Sequence, residues 1–243
     1  NRYFFNTKNT NFISIIRFLK GGNYMELKYL IDITSNKYPF NVEDANKQLQ
    51  SSDFKVVVTN FLNGNAAYLS VKKYGWIKTL EATGSIPIAT RGYCKIAGKQ
   101  YIDGGLVDPL PVKRVYDWGY RNIVLLRTHT NDVKPDWNLE TLYAPLFYRD
   151  NPKLQKLIMR NDKIYSRKQK YISNPPKDLK LIQVAPEIEL ECGVISNNMK
   201  DIQYYEKFLS LTNEETSTID KVKAYLSCHE RDRVPDQEKI FQN

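Results

Sequence analysis

Asp103, Gly104 and Gly105 close the run KQYIDGG, and a carboxylate at the end of a β-branched and aromatic stretch can do proton-transfer work. Two glycines behind it admit positive φ and let the backbone pass close to whatever lies beyond. A carboxylate presented that way can take the proton of a neighbouring hydroxyl. The same Asp-Gly pair is also a common turn signal, so a structural turn and a general base are both open at this stage. Ser85 in ATGSIP and His129 in RTHTND are the other candidates. Nothing around Ser85 makes the strained elbow that exposes a nucleophilic hydroxyl, and a lone loop histidine specifies little. His129 and His229 are too isolated for a metal site, and Cys94, Cys192 and Cys228 lack metal-ligand spacing. No metal is expected, and the cysteines read as reduced thiols, which suits the cytoplasm.

These residues need elements to position them. YID ends a strand, Asp108-Pro109 has the form of an N-cap with proline in the first turn, and Val112, Val115 and Trp118 follow at helical spacing. Gly119 stands where a glycine would close that helix, and NIVLLR then reads as a buried strand. Asp103 would thus sit at a strand tip ahead of a helix, where open α/β sheets build their sites. Upstream, FKVVVTN and AAYLS flank a turn at Asn63-Gly64-Asn65, and CKIAGKQYI forms a second, smaller hairpin. DLKLIQVAP gives another strand. NFISIIRFLK, MELKYLIDIT, VEDANKQLQSS, WIKTLEATGS and IQYYEKFLSLTNEETSTIDKVKAYLS read as helices. Strands alternating with helices imply an α/β fold with a mostly parallel sheet, in which FKVVVTN, NIVLLRT and LKLIQV lie together. One domain over 1–228 is expected, with 229–243 as a frayed tail.

With 42% hydrophobic and 26% charged residues, the chain has the composition of a globular protein rather than a disordered one. No window reaches the length of apolar sequence that a membrane span requires. The chain opens NRYFFNTKNTN, without an apolar signal core or a starting Met, and is expected to be a processed product or a fragment. Net charge is +9, and nine Lys and Arg against Asp162 and Asp178 place most of it in residues 151–183. Residues 151–172 read as a basic amphipathic helix with Leu154, Leu157 and Ile158 on one side. That pattern suits a solvated face, or peripheral attachment to an anionic membrane. No nucleic-acid motif accompanies the charge, so no nucleic-acid partner is expected.

In this order and spacing, FKVVVTNFLNGNAAYLS, ATGSIPIAT, KQYIDGGLVDPLPVKR and WGYRNIVLLRT resemble the patatin-like phospholipase family, above all its bacterial lipid acyl hydrolases. The likeness runs from about Tyr29 to Arg127. It implies a three-layer α/β sandwich around a mostly parallel central sheet, here without its N-terminal part. It also implies hydrolysis of carboxylic esters of phospholipids or acyl lipids by a Ser–Asp dyad, with no histidine and no cofactor. On this chain the resemblance makes Asp103 the proton acceptor and Gly104 and Gly105 the glycines of its motif. The family's nucleophile lies in G-x-S-x-G, and no two of the eleven glycines here are four apart. The nucleophile is therefore expected on sequence outside this chain. A non-catalytic lipid-binding or interaction module on the same fold is the alternative.

Overall fold

The computed structural model describes residues 11–37, 39, 41–130 and 138–185. The expected terminal helices at 202–227, the tail at 229–243, and Cys192, Cys228 and His229 lie outside these residues. The fold is mixed α/β, and the chain divides into two compact units. The first comprises Asn1–Pro111 and Lys134–Tyr171, and the second Val112–Val133 and Ile172–Asn243.

The first unit is built on a four-stranded sheet of β1 (Lys55–Asn60), β2 (Ala66–Ser70), β3 (Cys94–Ile96) and β4 (Lys99–Asp103), in the order β2-β1-β4-β3. Short connections dictate the direction of the outer pairs β1–β2 and β3–β4, because strands joined by tight loops pair antiparallel, and the central β1–β4 pair is antiparallel as well. Between β1 and β2, Gly64 adopts φ +74° and donates its N–H to the Asn60 carbonyl at 2.8 Å. The Asn60 side chain accepts from Leu62 and Asn63, so the turn expected at 63–65 is present. Ala97 and Gly98, both at positive φ, make the two-residue turn between β3 and β4. Period-two alternation sends neighbouring residues to opposite faces. Tyr101 accordingly joins a core of Val56, Val58, Leu69, Ala82 and Cys94, while Ile102 joins a second core of Leu106, Ala144, Leu154 and Ile158.

Helices α1 (Ile15–Leu19), α2 (Leu27–Asp32) and α3 (Val42–Gln48) precede the sheet, and α4 (Val71–Tyr74) and α5 (Trp76–Thr83) pack on the first core, with Val71 and Ala82 buried in it. In the second unit, α6 (Val112–Asp117) leads to β5 (Asn122–Leu126), which pairs in parallel with β6 (Lys180–Val184). Gly119, at φ +98°, and Tyr120 donate to the carbonyls of Tyr116 and Val115, closing α6 as its glycine foretold. Back in the first unit, α7 (Asn138–Phe147), α8 (Pro152–Ile158) and α9 (Asn161–Ser173) follow one another, with α9 running past the unit boundary.

Two expectations change here. The strand FKVVVTN does not share a ladder with NIVLLRT and LKLIQV: the first lies in the antiparallel sheet, the other two in a parallel pair of their own. The strand–helix alternation identified the strands; hairpin closure set the β1–β2 and β3–β4 pairs, while β1–β4 and β5–β6 are pairings between distant residues. The basic segment is not one helix but two, broken at Met159–Arg160. Its apolar side is interior, since Leu154 and Ile158 are fully buried and Leu157 packs against the same core.

Candidate active site

Asp103 is the last residue of β4 and stands opposite Val58 in the β1 register. Its main chain is held on both sides: the N–H donates to the Ser85 carbonyl at 2.9 Å, and its carbonyl accepts the Thr59 hydroxyl at 2.7 Å. The side chain accepts the Gly105 N–H at 2.9 Å. That bond lies within its own turn, as in any Asx turn; the electrostatic setting is what differs. Burial pushes the carboxyl above its usual value, and the Gly105 N–H offsets part of that rise. Among the described residues no ion pair reaches it, so nothing but a neutral amide stabilises its charge.

The two glycines behind it differ. Neither adopts positive φ, contrary to the freedom expected of them. Gly104 is required by proximity: a Cβ there would lie 2.3 Å from the Val57 carbonyl oxygen and 2.8 Å from the Val57 Cβ. Val57 is held in turn, its carbonyl accepting the Thr83 hydroxyl at 2.8 Å. Gly105 has more room, since its nearest neighbours would be the Asp103 carboxylate oxygens at 3.4 and 3.5 Å. From Gly104 to Leu106 the chain forms one turn of 3-10 helix and returns the Val107 and Asp108 N–H groups to the Gly104 carbonyl.

Asp108 is not an N-cap, because helix α6 starts only at Val112. It is buried, accepts a hydrogen bond from the Tyr68 hydroxyl and pairs with Lys168 at 2.5 Å. From the same helix α9, Asn161 donates its amide to the carbonyls of Gly105 at 3.2 Å and Leu106 at 3.1 Å. Sequence reasoning missed both Asn161 and Lys168. The signal was there: Asn161, Tyr165 and Lys168 recur at i, i+4 and i+7, so two polar residues share a helix face with a buried tyrosine.

Ser85 does not take a nucleophile's geometry. It is buried, and its hydroxyl donates back to the Glu81 carbonyl at 2.8 Å. Its loop also carries Ile88 at φ +65°, a left-handed backbone that costs a β-branched residue on the order of 1–3 kcal/mol. The Tyr148 hydroxyl accepts the Ile88 N–H at 2.9 Å and helps hold it there. His129 belongs to the second unit, just beyond β5. Cys94 is buried, its thiol pushed up to about 11 by burial and by the Glu81 carboxylate. In the first unit, Phe61, Leu62, Phe147, Tyr148, Asn151 and Lys153 line an open groove of about 540 Å³. No cluster of His, Cys, Asp and Glu able to hold a metal occurs among the described residues. None of the described helices is long and apolar enough to cross a membrane.

Residues 151–219 match a family model described as a domain of unknown function (DUF6363). The chain is also 25% identical over 183 residues to the uncharacterized protein YjjU of Escherichia coli (strain K12). That match covers 74% of this chain and 51% of the relative, so the chain spans about half the length of the curated protein it matches.

Proposed function

We propose that this chain carries the base half of a patatin-like lipid acyl hydrolase, with Asp103 taking the proton of a serine that attacks a phospholipid or acyl-lipid ester. The observation that carries the reading is the setting of Asp103: a partly buried carboxylate at a strand end, raised by desolvation and held by a single neutral amide. A general base works best when its pKa moves toward the working pH, and desolvation without a paired cation does that to an aspartate. A carboxylate kept for stability is normally paired, as Asp108 is with Lys168. The three-layer, mostly parallel sandwich belongs to this proposal, as does a serine on residues outside these 243. The groove has the volume of a ligand cleft, but it is lined by Asp150 and Lys153 as well as aromatic residues and by no residue of the Asp103 loop, so it is not part of this reading.

Peripheral attachment to an anionic membrane is part of the same reading in reduced form. Lys153 and Lys156 on α8, Arg160 in the break, and Lys163, Arg167 and Lys170 on α9 are exposed, whereas Leu154 and Ile158 are interior. Attachment through these helices would be electrostatic, without insertion.

The test uses the full-length protein that contains this chain. It should hydrolyse a nitrophenyl ester and label with a fluorophosphonate serine probe. Asp103→Asn should retain its circular dichroism and lose activity on the order of 10⁴-fold, the scale seen when an acid–base partner of a serine is removed. Undiminished turnover by Asp103→Asn would refute the dyad. Vesicle binding without labelling or turnover would favour the non-catalytic module, which the inward-bonded Ser85 and the missing G-x-S-x-G already favour over catalysis by this chain alone.

A further inference from the structure

We infer that the opening helices of the region matched as a domain of unknown function brace the loop that carries Asp103, with Asn161 as its positioning residue. This rests on Asp103 as the base proposed above; the brace itself rests on geometry. Loop 104–108 is attached to α9 at two points. Asn161 holds the carbonyls of Gly105 and Leu106, while Lys168 reaches Asp108 at the far end. Asn161 and Lys168 lie seven residues apart, two turns of one helix, so a rigid rod of about 10 Å fixes both ends. Gly105 is the link to the chemistry, because its carbonyl is held by Asn161 and its N–H holds Asp103.

Stability alone does not account for these residue types. Asn161 is 2% exposed at the start of α9 and shares its helix face with the buried Tyr165, a place where an apolar side chain would be the default. A buried amide costs free energy unless it is bonded, and a buried ion pair adds little stability over apolar packing. What such groups supply is a unique geometry. The geometry supplied here is that of the Asp-Gly-Gly loop.

The experiment compares the full-length protein with Asn161→Leu, which fills the same space without donors, and with Asn161→Ser, a smaller change held in reserve against misfolding. Amide exchange is followed by NMR at Gly105 and at Val56, a strand residue away from the loop, together with the ¹³C shift of the Asp103 carboxyl. Exchange at Gly105 should rise on the order of tenfold or more while Val56 keeps its protection, and the Asp103 carboxyl shift should move. A purely structural role would raise exchange at both amides together. Equal changes at Gly105 and Val56, or a folded variant with Gly105 and Asp103 unchanged, would overturn the brace. None of these readouts uses turnover, so an inactive wild type with a loosened Gly105 would remove the hydrolase reading and keep the brace.

Discussion

Loop 103–108 begins and ends on an aspartate, and the two could hardly be treated more differently. Asp108 is buried with a cation and a phenol hydroxyl as partners. Asp103 is partly buried with one backbone amide, and its carboxyl is raised. Partnered carboxylates hold structure; a desolvated one without a cation retains its affinity for a proton. Within a few residues, the chain separates the group that fastens the loop from the group the loop presents.

The strongest way to break that contrast is to remove the fastening. Asp108→Ala leaves Lys168 facing the interior without a partner, and breaking a buried pair costs about 3–5 kcal/mol. The lower end is expected, since the Lys168 side chain keeps 24% of its surface exposed. Urea unfolding measures the loss, and the double variant Asp108→Leu/Lys168→Met should recover most of it.

A second comparison sets the two glycines against each other. Gly104→Ala must displace β1 backbone at Val57 and should cost at least about 1–3 kcal/mol, the usual price of overpacking. Gly105→Ala meets ordinary contacts and should fall below about 1 kcal/mol. Equal losses for the two in thermal melts would show that the close approach to Val57 is not what selects Gly104.

The smallest effect sharpens the contrast through pH. Because burial raises the Asp103 carboxyl, the folded protein binds its proton more readily than the unfolded chain does. Stability attributable to this group is therefore present below the ordinary aspartate value of about 3.9 and is lost as pH rises toward the raised folded value. Asp103→Asn should melt higher than the parent near neutral pH, and the gain should fade on acidification toward about pH 4. A gain that persists or grows at low pH would contradict a raised carboxyl.

What the sequence disclosed follows the distance over which each feature is decided. The turn at Asn63-Gly64-Asn65, the hairpin over CKIAGKQYI and the closure at Gly119 depend on neighbouring residues, and all were legible. Asp103 at a strand end was legible for the same reason. The need for glycine at 104 was not, because it is set by Val57 on another strand. Nor was the partner of NIVLLRT: strand character shows in a run of residues, whereas pairing is settled by the rest of the fold. Asp108-Pro109 looked like a cap because the local pattern cannot show a lysine sixty residues away. Asn161 was concealed by its surroundings, a run so rich in lysine and arginine that one more polar residue drew no notice.

The bonds from Asn161 also impose an order in time. Asn161 follows Gly105 by 56 residues, so a ribosome adding about 5–20 residues per second makes the Asp-Gly-Gly loop several seconds before its clamp exists. During that interval the β3–β4 hairpin can already close, yet the carbonyls of Gly105 and Leu106 have no partner from α9. The sheet is therefore an early product of synthesis and the geometry around Asp103 a late one: a nascent chain halted before residue 161 would hold the carboxylate without the support that orients it.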